Sequence, residues 1–144
     1  EASVTNTATV SGTGITPVTA AETVNDEAAP NLAITKSVSP VPVTENGTLT
    51  YTFRIQNYGS VAATNTTGVV ITDTFAPVLN NLTAALNGTA WTAATDYTYN
   101  EATGTFSSTA GAITVPAATY TQDSTTGAWV VTPGESTLVI TGTV

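Results

Sequence analysis

An alternation of apolar side chains with Thr or Ser runs through most of this chain, and it leaves room for strands and little else. The segments VTNTATV, NLAITKSV, TLTYTFRIQ, TGVVITDTF, GTFSS to AITV, GAWVVT and STLVITGTV repeat with a period of two. They are rich in β-branched and aromatic residues and are bounded by Gly, Pro, Asn and Asp. No stretch carries the period of an amphipathic helix. Short strands at a spacing of about 8–12 residues predict an antiparallel sandwich. In 144 residues, 41% of them hydrophobic, one domain with a real core is the expectation. Residues 76–102, with PVLNNLTAALNGTAW and DYTYNEATG, are less regular and read as a loop and an extra hairpin. Residues 11–29 are small, polar and acidic with no long apolar stripe, and read as a linker. The expected division is a strand at 1–10, a linker at 11–29 and a sandwich at 30–144.

The side-chain inventory excludes much. Cys, Met and His are absent, and only Lys36 and Arg54 stand against ten acidic residues. Such a surface repels nucleic acid and anionic lipid. Without Cys or His there are no disulfides, thiol nucleophiles or common metal ligands, so neither ordinary enzymatic catalysis nor a cofactor is expected. Low charge, at 8%, with abundant Thr, Ala, Gly, Asn and Val matches secreted fibre and surface proteins. No signal peptide or membrane-spanning run occurs, so Glu1 reads as a mature N-terminus from which a leader was removed. The expected location is extracellular, secreted or at the cell surface, with no insertion into a membrane.

Three stretches, PNLAITKSVSP (30–40), LTYTFRIQNYGSVAATNTTGVVITDTF (49–75) and PGESTLVITGTV (133–144), resemble the conserved repeat domain of bacterial and archaeal surface proteins, domain of unknown function eleven. The resemblance covers the core of that domain and not its middle loop. It implies an immunoglobulin-like sandwich, usually in tandem copies, that ends in a strand similar to TNTATVSG. Here that strand precedes the domain, at 3–12, while GESTLVITGTV at 134–144 stops where a closing strand would follow. The fold expected is therefore all-β: an immunoglobulin-like antiparallel sandwich completed by a donated N-terminal strand. A linker over 11–29 extends roughly 60 Å at ~3.3 Å per residue, enough to reach a neighbour's groove or the chain's own.

Strand parity points to a polar cluster. Successive residues of a strand face opposite ways, so Ala2, Val4, Asn6, Ala8 and Val10 share one face, with Asn6 in its middle. Leu32, Ile34, Lys36 and Val38 share another, and Val69, Ile71, Asp73 and Phe75 a third. Each core face thus carries one polar residue, and a buried charge or amide costs several kcal/mol, on the order expected for unsatisfied polar groups, unless it is paired. Tyr51, Phe53 and Ile55 share a face that leaves Arg54 toward solvent.

Lys, Asn and an acid in an apolar core are the parts of a spontaneous isopeptide bond, as in the pilin-like and fimbrial sandwich domains that these strands resemble in type. Burial would favour a neutral Lys36 amine as nucleophile and a protonated Asp73 that hydrogen-bonds the Asn6 carbonyl. Attack on the amide carbon would expel ammonia and leave a Lys36–Asn6 cross-link, a single turnover rather than enzymatic catalysis. The plainer alternatives are a backbone hydrogen bond for Asn6, a Lys36 that snorkels to the edge, and an Asp73 that caps a turn or pairs with Lys36 without covalent chemistry. Glu45, in the turn sequence TENG, is the other available acid and reads as solvated.

Weaker candidates complete the list. Asn46, Asn65, Asn81 and Asn87 begin N-glycosylation patterns. Asp96, Glu101 and Asp123 offer oxygen ligands for calcium without a recognisable loop spacing, and no metal site is expected. Trp91, Tyr97, Tyr99, Tyr120 and Trp129 are candidates for a sugar-binding platform or for core anchors. The function expected is a structural subunit of an extracellular filament, pilus-like or a biofilm matrix fibre, that polymerises head to tail with identical subunits by donor-strand complementation. Val4, Asn6, Ala8 and Val10 are its donor residues, and Ile34, Val38, Leu138, Ile140 and Val144 its groove walls. Contacts with a cell surface or matrix would follow. The alternatives are a self-closed repeat of a surface adhesin stalk involved in cell adhesion, with glycan binding as one role, and one repeat cut from a longer tandem chain.

Overall fold

The chain forms several antiparallel sheets in a sandwich-like arrangement. The structure, a computed structural model, describes residues 2–26 and 28–144, with backbone alone for 2–4 and 24–26. In chain order the strands are β1 Ala2–Gly12, β2 Ile15–Asp26, β3 Leu32–Ser39, β4 Thr48–Asn57, β5 Thr72–Thr74, β6 Asn80–Leu86, β7 Thr89–Ala90, β8 Tyr97–Asn100, β9 Thr105–Ser108, β10 Thr119–Gln122, β11 Trp129–Thr132 and β12 Gly134–Thr143. The main sheet has the order β3-β4-β12-β6-β7 and the smaller one β5-β9-β8; β1-β2 and β10-β11 are two-stranded.

The core lies where the two larger sheets meet. Alternation buries Leu49, Tyr51, Phe53 and Ile55 of β4 and Leu138 and Ile140 of β12 on one side. Phe75, Tyr97 and Phe106 come from the other side and join the same cluster. Phe75 is its hub: its ring lies 4.7 Å from that of Tyr51 and 6.2 Å from that of Phe106. Full burial of each such side chain stabilises by roughly 1.5–3 kcal/mol. Arg54, on the opposite face of β4, is exposed and pairs with Glu135 at 2.6 Å.

One buried polar residue ties the strand ends together. Asn57 is fully buried, and its Oδ1 accepts from the backbone N–H of Asn31 and of Gly59, each at 2.9 Å. Its Nδ2 donates to the carbonyls of Val61 at 2.7 Å and Pro116 at 3.0 Å. Gly59 has no alternative here, because a Cβ would stand 2.1 Å from the Ala29 carbonyl oxygen.

Several expectations are corrected. The stretch 11–29 is not a linker: Ile15–Asp26 is strand β2, antiparallel to β1 through Asn6↔Glu22, Ala8↔Ala20 and Val10↔Val18. Gly14, at φ 77, makes the turn that joins them, and Pro17 falls beside the register shift, where a missing N–H is tolerated. The strand escaped the periodicity reading because both faces of the hairpin are exposed from Thr5 to Thr23, so no apolar stripe marks it. Residues 76–102 contain more than a loop and an extra hairpin, since β6 is an interior strand between β12 and β7. Its pattern NNLTAAL is weak because Ala84 fills an inward position and Asn81 adopts φ 53. AITV at 112–115 forms no strand; Val115 makes an isolated bridge to Ala63.

At the tip of β10-β11, the backbone N–H groups of Thr126 and Thr125 donate to Asp123 Oδ1 at 2.8 and 2.7 Å, and hold its carboxyl below the usual range. A depressed carboxyl contributes its stabilisation above the ordinary value and loses it as pH falls through the native one. Acidification below about pH 4 is therefore expected to loosen this tip first. Amide exchange at Thr125 and Thr126, followed by NMR against pH, checks it; unchanged protection on protonation would contradict it.

Candidate functional site: an open groove between β3 and β5

β3 pairs with β4 through Leu32↔Asn57, Ile34↔Ile55, Lys36↔Phe53 and Val38↔Tyr51. Directly opposed residues share a face, so these four side chains turn toward the same side as the buried ones of β4. That face is uncovered at the sheet edge: Leu32 is 37% exposed, Ile34 52% and Val38 37%, while their partners Ile55 and Tyr51 are buried. Across from it runs the segment leading through β5, whose inward positions are Val69, Ile71, Asp73 and Phe75. β5 pairs with β9 on one side and, among the described residues, with no strand on the other.

The groove has two apolar ends and a polar middle. One end is a hollow of about 160 Å³ lined by Leu32, Ile34, Ile55, Val69 and Ile71. The other, about 410 Å³, is lined by Val38, Val43, Leu49, Tyr51 and Pro77. Between them Lys36 forms an ion pair with Asp73. The Lys36 ammonium also lies over three rings, 4.9 Å from the centre of Tyr51, 5.3 Å from Phe75 and 5.6 Å from Phe53. Asp73 is oriented by its other oxygen, which accepts from the Thr74 N–H at 2.8 Å. The Lys36 side chain remains 41% exposed and that of Asp73 18%, so the pair opens onto the groove. Cation–π contacts of this kind are worth roughly 0.5–1 kcal/mol when exposed and about 2 when desolvated, so covering the groove strengthens them.

The structure brings Lys36 and Asp73 together and leaves Asn6 elsewhere, exposed on β1. Ala8 and Val10 are exposed beside it, and the side chain of Val4 lies outside the described residues. Ile34 and Val38 do line the groove. The reading of Leu138, Ile140 and Val144 as groove walls is corrected. Leu138 and Ile140 are fully buried and Val144 is half-buried, because β12 is an interior strand flanked by β4 and β6 and has no vacant neighbour.

The weaker candidates disperse. Asp96 accepts from the Thr92 N–H, Glu101 from the Asn81 N–H, and Asp123 closes its own turn, so the three serve separate loops. Among the described residues no three acidic side chains gather. Tyr97 is buried, its ring 5.4 Å from Phe106 and 6.5 Å from Trp91, and burial pushes its phenol up. The hydroxyl of Tyr97 donates to the Leu82 carbonyl and that of Tyr99 to the Leu79 carbonyl. These are core anchors with their polar ends spent. Tyr120 and Trp129 are exposed on β10-β11 and do not join the core cluster that holds Tyr97 and against which Trp91 and Tyr99 pack. Asn46, Asn65, Asn81 and Asn87 are all exposed, and the Asn87 amide is engaged by Ser136 and the Thr137 N–H. Glu45 sits in the turn closed by the Gly47 N–H on the Thr44 carbonyl, and is exposed.

Sequence reasoning missed Asn57, whose role depends on contacts to Asn31 and Pro116 that no local pattern announces. No helix among the described residues is long and apolar enough to cross a membrane. Comparison of the chain with protein-family models, with curated proteins and with solved structures found no match.

Proposed function

We propose that this chain is a structural subunit of an extracellular filament, an immunoglobulin-like sandwich whose β3–β5 groove receives the β1-β2 hairpin of a neighbouring copy. The observation that carries the reading is the match between two unpartnered faces. The groove runs apolar, Lys36 with Asp73, apolar along β3, and β1 presents Asn6 between Val4 and Ala8, with Val10 beyond. Both patterns advance about 6.6 Å per inward position, so an Asn6 aligned with Lys36 brings apolar residues to both hollows.

Two further facts support it. A two-stranded hairpin exposed on both faces is marginal in water and needs a surface to pack on. The unpaired edge of β5 has backbone groups to offer a strand. The tether favours a neighbour over self-closure. Residues 29–31 pack against Gly59 and Asn57, so the hairpin hangs from the steps between Asp26 and Ala29. Three steps of chain span at most about 10 Å at ~3.3 Å per residue, which is the bare separation of facing sheets. Little is left to carry the hairpin along its own groove. Donor and groove are different surfaces, so repetition gives a head-to-tail polymer.

Docking would also seat the Asn6 amide beside Lys36 and Asp73. The Lys36 amine, its proton taken by Asp73, attacks the amide carbon, and ammonia leaves. The filament is then covalent along its length and resistant to heat and detergent. Replacing Asn6 with Ala is expected to leave filaments visible by electron microscopy while every multimer collapses to monomer after boiling in detergent. Heat-resistant ladders from that variant would defeat the assignment. A wild-type monomer lighter by one ammonia would favour the self-closed stalk module instead.

A further inference from the structure

We infer that Glu22, carried in by the donor hairpin, is a second carboxyl of the cross-linking chemistry and the proton carrier to the departing ammonia; this rests on the filament reading above. Asn6 and Glu22 are register partners on one face of the hairpin. They line a common hollow with Ala8 and Ala20, whose small side chains leave both polar groups room to move. Directly opposed residues of an antiparallel pair have Cβ atoms about 4.5–5.5 Å apart, so the carboxylate reaches the Asn6 amide. Glu22 is also the one charged residue between positions 5 and 23, in a hairpin otherwise built of Thr, Ala, Val and other uncharged residues. A charge on the face that would enter an apolar groove needs a use there.

The chemistry supplies one. Asp73 is occupied on both oxygens, by Lys36 and by the Thr74 N–H. It serves to receive the first proton from Lys36. The amine then forms a C–N bond to the Asn6 amide carbon, and the bond from that carbon to the original side-chain nitrogen breaks. The leaving nitrogen requires a proton, and the attacking nitrogen must lose one. Glu22, against the Asn6 amide on the side away from β5, takes the proton from the attacking nitrogen and delivers it to the leaving group, and the proton held by Asp73 passes to the released ammonia. In balance, one ammonium and one primary amide become one secondary amide and one ammonium ion, and both carboxylates are regenerated.

The test compares the full-length wild type, Glu22→Gln, Glu22→Asp and Asn6→Ala in timed assembly, with boiled-gel ladders and released ammonia as readouts and microscopy to score filaments. Glu22→Gln keeps the size of the side chain and one hydrogen-bond acceptor, and lacks the proton carrier. It is expected to form filaments while linking roughly a hundredfold more slowly, within the range of general acid–base catalysis. Glu22→Asp is expected to recover most of the rate. Linking of Glu22→Gln at the wild-type rate overturns the inference and leaves the filament reading intact. Failure of Glu22→Gln to assemble makes Glu22 a structural residue and overturns it too. Ladders that persist in Asn6→Ala overturn the filament chemistry itself.

Discussion

A chain that begins at residue 28 is expected to remain a folded monomer and to lose assembly completely. The core predicts the first half of that outcome: every buried apolar side chain among the described residues lies between Leu49 and Ile140, and none belongs to β1 or β2. Removing the hairpin therefore takes none of the described buried side chains from the packed interior. The second half follows from the groove. Without β1 no segment supplies the apolar residues for the hollows beside Ile34 and Val38, where Val4 and Val10 would each gain roughly 1.5–3 kcal/mol on full burial. Sedimentation and electron microscopy of the shortened chain read assembly, and circular dichroism with thermal melting reads folding. A peptide of residues 1–26 is expected to bind the shortened chain with one site per molecule, and to be outcompeted by full-length protein. Filaments from the shortened chain would place the interface elsewhere.

Replacing Asn57 with Ala is expected to cost at least about 3 kcal/mol of folding stability. The side chain is fully buried and satisfies two backbone N–H groups and two carbonyls. An unsatisfied buried donor or acceptor costs about 1–3 kcal/mol, and four would be left in place of one amide. Asn57→Asp keeps both acceptor contacts and fails as well, because it loses the donors to Val61 and Pro116 and puts a charge in their place. The consequence reaches assembly, since Asn57 fixes Asn31 and so the point from which the hairpin departs. Denaturant unfolding gives the number; a loss under 1 kcal/mol would mean that the loops at 59–61 and 116 re-satisfy themselves.

How much of this was legible in the sequence depended on whether a face was covered. β4 and β12 could be read directly because strict alternation coincides with burial on one side, and Arg54 fell outward as parity required. The pairing of Lys36 with Asp73 was also legible, because each is the single polar residue on an otherwise apolar face. β2 was not, since a strand exposed on both faces has no reason to alternate in hydrophobicity; only its β-branched residues and the Thr13-Gly14 turn mark it. β6 was hidden because its one fully inward position, Ala84, carries a small side chain that adds little to an apolar pattern. The location of the groove could not be inferred from chain order. That β12 ends the chain suggested a vacancy beside it, but β6 returns from the middle of the sequence to fill that place, and the vacancy falls beside β5. Pairing of distant segments decides this, and local pattern carries no record of it.

In the proposed filament the N-terminal strand of one copy lies in the β3–β5 groove of the next and is joined there. The most direct measurement is the intact mass of wild-type filaments after boiling in detergent, with digestion to identify the junction. The expected result is multimers that lose one ammonia per link and a branched peptide joining Lys36 to Asn6 between two chains. Monomers of full mass would contradict the cross-link, and a Lys36–Asn6 peptide confined to single chains would contradict strand donation between neighbours.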